Sequence, residues 1–139
     1  MRVIYYFLQF TWGLPINIFG FLAYVFLRIF GLNAKRHGFC RYLSFGENWG
    51  GFSLGMFFFC DLRESDRTKN HEFGHSIQNC IFGIFMIPLT LLSVFRYHYR
   101  GYMESIGNPC ETQYDDFWFE GQATKLGNKY INFFQKGDD

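Results

Sequence analysis

Apolar residues run from Val3 to Leu32 with few interruptions, namely Gln9, Thr11, Asn17 and Arg28. The run divides at Trp12-Gly13-Leu14-Pro15: glycine ends one helical segment, and proline, whose missing N–H costs nothing in a first turn, opens the next. This predicts a short aromatic helix lying at an interface, then a longer helix over Pro15 to Phe30. At 1.5 Å per residue the second covers about 24 Å, short of a hydrocarbon core of roughly 30 Å unless it tilts little and Arg28 snorkels. The segment lacks a small-residue cleavage site, so residues 1–32 are expected to be a retained membrane anchor and not a removed signal.

From Phe39 the pattern changes to short runs, Phe39 to Phe45 and Phe52 to Cys60, around Glu47-Asn48-Trp49-Gly50-Gly51. That predicts a β-hairpin. Asp61 to Asn70 is the longest polar stretch, and its Ser65, Asp66 and Thr68 offer caps for a helix that follows. Cys80 to Phe95 is apolar save for Thr90 and Ser93 and is broken by Pro88. It is expected to be a Pro-kinked helix, or a segment embedded from one side, with both ends on the same membrane face. Its length is short for a crossing, at about 24 Å. Arg96 to Thr112, polar and irregular, could not return through lipid. A last helix is expected over Tyr114 to Phe134, opening on Asp115 and Asp116, where a helix N-terminus favours negative charge. The fold class is then α+β and mostly helical, with a membrane anchor over residues 1–32 and one domain over 33–139 that touches the membrane through 80–95.

Composition sharpens the membrane reading. Aromatic residues make up 23% of the chain, with 20 Phe, against 18% charged, more than a small soluble core needs and suited to a chain in or on a bilayer. A cytoplasmic membrane, bacterial in type, is the expected location. A net charge of +1 gives no global field for nucleic acid. Lys35, Arg36 and Arg41 follow the first apolar segment and Arg96 and Arg100 the second, as would suit lipid headgroups, and His37 is expected to face those headgroups too. Cys40, Cys60, Cys80 and Cys110 show no C-x-x-C spacing, which argues against a zinc ribbon or redox pair. In a simple hairpin Cys40 and Cys60 would lie near cross-strand positions, although buried reduced thiols are the expected state.

The chemistry is concentrated in His71-Glu72-Phe73-Gly74-His75, an H-E-x-x-H sequence. On a helix, positions four apart share a face, so both imidazoles reach one Zn²⁺ while Glu72 projects beside them to take a proton from an activated water. A catalytic zinc site normally has a third protein ligand. The downstream candidates are His98, Glu104, Cys110, Glu111, Asp115, Asp116 and Glu120. Glu120 stands out in Phe117-Trp118-Phe119-Glu120-Gly121-Gln122-Ala123-Thr124, because a carboxylate among bulky apolar residues is costly to bury without a counter-charge, which a metal supplies.

His71-Glu72-Phe73-Gly74-His75 followed by Glu120-x-x-Ala123 resembles the gluzincin arrangement of zinc metallopeptidases. The longer string to Gln78 is similar to small membrane-associated proteins bearing H-E-[YF]-G-H-x-x-Q. The resemblance implies zinc on His71, His75 and Glu120, Glu72 as general base, and a peptide or protein substrate pairing with the edge strand over Phe52 to Cys60. Thr124 stands where gluzincins usually carry the Asp that supports a zinc-bound His. Tyr114, His98, Tyr130 and Tyr102 are candidates for stabilising the transition state. The chain is therefore expected to be a membrane-associated zinc peptidase. The alternatives are a non-catalytic membrane protein whose zinc holds helices together for a subunit or partner, and a lipid-binding module resting on the basic clusters. Nothing in the sequence sets an oligomeric state.

Overall fold

The computed structural model describes residues 1–135 and is mostly helical with one four-stranded sheet, an α+β fold. Helices α1 (Arg2–Phe10) and α2 (Leu14–Ile29) meet at 89°. Pro15 lies in the first turn of α2. Gly13 sits at the elbow because a Cβ there would run into the side chain of Asn79.

The strands are β1 (Lys35–His37), β2 (Cys40–Ser44), β3 (Gly51–Leu54) and β4 (Phe57–Cys60), in the order β1-β2-β4-β3. β1 pairs antiparallel with β2 and β3 with β4, while β2 and β4 run parallel. This corrects the single hairpin read from the sequence. The run Phe52 to Cys60 folds back on itself at Gly55, whose φ of +68° favours glycine and where any Cβ would strike Asn17 Oδ1. It therefore yields two strands, and Glu47 to Gly50 becomes part of a crossover loop. Cys60 then lies beside Ser44 and not Cys40, and all four cysteines are free.

Helix α3 (Asp66–Phe82) starts at Ser65, whose Oγ accepts the N–H of Thr68 at 3.4 Å. It ends at Gly83, where φ is +54° and a Cβ would collide with the Trp12 indole. A 3-10 turn over Gly83–Phe85 leads into α4 (Met86–Ser105). The break falls at Gly83 and not at Pro88, which is tolerated in the first turn of α4. Arg96 and Arg100, expected in irregular chain, continue that helix. Since Ser93 on α4 bonds Glu120, which in turn touches His71 on α3, the two helices double back on each other. A second 3-10 turn (Tyr114–Asp116) precedes α5 (Trp118–Gln135).

By length and composition only, and counted through the reversal at Gly83, Asp66–Ser105 is, among the described residues, the one helical stretch long and apolar enough to cross a membrane, and the α1–α2 pair qualifies only if its bent halves are counted together. One apolar cluster joins α1, the sheet, α3 and α5 through Tyr5, Phe39, Phe58, Phe73 and Ile131. A smaller one, Ile16, Met86 and Phe119, joins α2, α4 and α5.

Candidate metal centre

Close approach of α3 and α5 creates the site. Gly74, inside the histidine motif, faces the backbone carbonyl of Ala123, and Gly127 faces that of Asn70, so neither has room for a side chain. This draws Glu120, in the first turn of α5, up to both imidazoles. Glu120 Oε2 lies 3.1 Å from His71 Nε2 and 3.2 Å from His75 Nε2, and the two nitrogens are 3.1 Å apart. A tetrahedral zinc with bonds of about 2.0–2.1 Å holds its ligand atoms about 3.3 Å apart. The triangle therefore has the size of one face of such a tetrahedron, and among the described residues no fourth His, Cys, Asp or Glu joins it, which leaves one position to a non-protein ligand. His71, His75 and Glu120 form a group that could hold a metal ion.

The outer edges of both imidazoles decide which nitrogen faces inward. Thr124 Oγ1 lies 2.7 Å from His71 Nδ1 and donates its own proton to Asp115 Oδ2 at 2.9 Å. Its remaining capacity is as an acceptor, so His71 Nδ1 is the donor. Gln78 uses its amide nitrogen on Phe119 O and Gln122 Oε1, leaving Oε1 to accept from His75 Nδ1 at 2.7 Å. Both Nε2 atoms thus turn lone pairs toward each other and toward a carboxylate. Three acceptors in van der Waals contact require a cation between them, a proton or a metal.

Charge agrees with this arrangement. When the cation is a proton, hydrogen bonds from His71 and His75, the charge of His75 and a hydrogen bond from Ser93 hold the Glu120 carboxyl well below the usual carboxylate range, although burial alone would raise it. Glu72 lies on α3 with both histidines but has no such partners. Burial pushes it up to about 7, against the opposing pull of His71, and its Oε2 bonds to no protein atom. That orphaned, buried oxygen fits a proton acceptor for a small polar molecule held at the open position.

A cleft of about 570 Å³ opens over these groups. Its walls are the outer edge of β3 (Gly51 to Ser53), α3, the inward face of α4 and the start of α5. Gly51 packs directly on Glu72, where a Cβ would come within 2.7 Å of Oε1. Of the expected transition-state candidates, Tyr114 and His98 line the cleft. Burial and the charge of Glu120 push the Tyr114 hydroxyl up to about 12, so it stays a donor. Tyr130 does not line it: it packs against the core around Tyr5 and Phe73. Tyr102 also points elsewhere.

The other candidate ligands lie outside the triangle, and Asp116 instead accepts the N–H of Gln113 at 2.8 Å. His37 bonds Asn70 Oδ1 at 2.8 Å and packs against Phe58 and Phe73, so it does not face headgroups. Arg96 and Arg100 are held by the carbonyls of Tyr114 and Thr112. Sequence reasoning missed Ser93 and the supporting roles of Asp115 and Gln78. Ser93 had a signal, being one of two polar residues in the apolar run from Cys80 to Phe95. No model of a protein family matches this chain, and neither a curated protein nor a solved structure is significantly similar to it.

Proposed function

We propose that this chain is a membrane-associated, zinc-dependent peptidase. The observation that carries the reading is the meeting of two imidazole lone pairs and a buried carboxylate beside an unpartnered Glu72, all at the floor of a cleft. An N,N,O donor set with a free position suits catalytic zinc, whose structural sites are normally closed by four protein ligands. When bound, zinc supplies Lewis acidity, making a water acidic enough to ionise near pH 7 and polarising a carbonyl.

The protein's own groups do the rest. Thr124 and Gln78 fix the tautomers of His71 and His75. Glu72 accepts a proton from the attacking water at Oε2 and passes it to the departing amine. Tyr114 donates to the oxygen on which charge develops. The free edge of β3 pairs with an extended peptide through main-chain hydrogen bonds, giving affinity with little side-chain selectivity.

The second reading is a structural zinc site in a non-catalytic membrane protein, favoured by the burial of the helix pair around the ligands. A structural site has no use for the Glu72 carboxylate. Purified protein should therefore be assayed for bound metal and for cleavage of a quenched-fluorescent peptide library, with Glu72→Gln beside the parent. Cleavage lost with metal retained supports the peptidase; metal retained with no cleavage by either form supports the structural site.

A further inference from the structure

The apolar surfaces of α1, α2 and the α3–α4 turn meet at one place. Trp12, at the α1–α2 elbow, donates its indole N–H to Ile81 O at 3.2 Å and packs edge-on against Phe85 at 6.4 Å. Along these elements Phe7 and Phe10 of α1, Phe19 and Phe26 of α2, and Ile84 and Phe85 of the turn are all more than half exposed. We propose that these elements form one continuous surface that beds into a single leaflet of a lipid bilayer, so that the chain enters and leaves the lipid on the same side and crosses nowhere. The proposal rests on the membrane part of the reading above and is independent of the metal.

Three observations select lipid as the occupant and one leaflet as the depth. A right-angled helix break frees backbone carbonyls that water would normally hydrate, but here they are taken internally. Leu8 O accepts from Gly13 N, Gln9 O from Asn17 Nδ2, and Gly13 O from Asn79 Nδ2. Such internal satisfaction is what a hydrocarbon environment demands of the backbone. Charge is also segregated. Arg28 is the one charged residue between Val3 and Ala34, and none occurs between Cys80 and Phe95, whereas Glu47, Arg63, Asp66 and Arg67 crowd the loops and the start of α3 at the other end of that helix.

The third observation is length. The apolar part of α4 runs from Met86 to Phe95 before Arg96, and buries only Met86. Ten residues of helix rise about 15 Å, half of a hydrocarbon core of roughly 30 Å. The reversal at Gly83 then returns the chain to the side it came from. His71 and His75 lie on α3 before that tip, which places the cleft near headgroup level, where peptide segments emerging from the membrane would meet β3.

The test uses the full chain in sealed vesicles of phosphatidylcholine, with and without bromine in mid-acyl positions. One variant keeps only Trp12 (Trp49→Phe, Trp118→Phe) and another only Trp49 (Trp12→Phe, Trp118→Phe). Brominated lipid should quench Trp12 fluorescence at least 2-fold and leave Trp49 unchanged. Asp66→Cys and Asn108→Cys, each with Cys110→Ser, should react with an impermeant thiol reagent from the same side. Labelling from opposite sides would overturn the proposal, as would an unquenched Trp12, whether the protein is then a dimer with this face covered by a second copy or a monomer. Metal content measured on the same samples separates failure of the membrane surface from failure of the zinc site.

Discussion

Helix α3 carries two buried polar clusters on different faces, and they are built to opposite rules. Toward α1 and α2, Ser76 and Asn79 meet Tyr5, Gln9 and Asn17 in a network where donors face acceptors: Tyr5 Oη donates to Ser76 Oγ at 3.0 Å, and Asn79 and Asn17 both donate to Gln9 Oε1 at 2.6 and 2.7 Å. Among its side-chain atoms only Asn79 Oδ1 is left over. Toward α5, His71, His75 and Glu120 bring acceptor against acceptor. A satisfied network specifies how helices pack. A cluster of acceptors with nothing to share between them is stable only around a cation. The same helix therefore uses one face to hold the fold and the other to present a group that could hold a metal ion.

The largest expected effect separates ligands from base. Replacing His71, His75 or Glu120 with Ala should reduce zinc from one per chain to none, whereas Glu72→Gln should keep the metal and lower peptide cleavage by at least about 100-fold, the usual range for losing a general base. Metal analysis after dialysis and a cleavage assay measure the two. Zinc loss in the Glu72 variant would make Glu72 a ligand and dissolve the distinction.

On the other face, Asn79→Ala removes the donor shared by Gln9 Oε1 and Gly13 O. Both acceptors keep Asn17 as a partner, so losing the two hydrogen bonds should cost about 1–3 kcal/mol in denaturant unfolding, with zinc stoichiometry unchanged in the folded fraction. If this variant instead released zinc while staying folded, the two faces would be one coupled unit.

Much of this site was legible in the sequence, and the reasons are specific. His71 and His75 are tied by helical spacing alone, and Glu120 was found because an acid among Phe117, Trp118 and Phe119 needs a counter-charge. The cap at Ser65 and the division at Gly13 and Pro15 follow from local backbone chemistry. The sheet order did not follow, because the turn at Gly55 is dictated by Asn17, 38 residues earlier in the chain, and such a contact leaves no local pattern. For the same reason Gln9 and Asn17 read only as interruptions of an apolar run, though Gln9 accepts from Asn79 on α3 and Asn17 from the N–H of Met56. Proline is the louder local signal and points to a hinge at Pro88, yet the steric conflict with Trp12 puts it at Gly83.

Asp115 supports the metal face through Thr124, since the Thr124 hydroxyl can accept from His71 only while it donates elsewhere. Asp115→Asn or Thr124→Val should weaken zinc about 10–100-fold, the typical effect of removing such a support, as read by chelator competition. Thr124→Asp combined with Asp115→Asn should recover most of that loss by presenting a carboxylate to His71 directly. No recovery would mean that Asp115 acts by holding the chain before α5 and not through the imidazole.

The smallest effect is the most selective. Gly51 on β3 packs against Glu72, which supplies the three nearest atoms to an added Cβ, with Oε1 at 2.7 Å and Cγ at 3.0 Å. The neighbour is a side chain that can turn, so Gly51→Ala should cost little stability. It should displace the carboxylate from its place in the cleft, and if Glu72 is the proposed base, misplacing it by about 1 Å lowers rates by up to roughly 100-fold. The expected outcome is a fall of about 10-fold in kcat with zinc affinity unchanged, because Thr124 and Gln78 still hold both imidazoles. If kcat stays level, Glu72 has room to work from a second position; if zinc affinity falls as well, β3 supports the ligands and the division between base and metal is less sharp than the hydrogen bonds indicate.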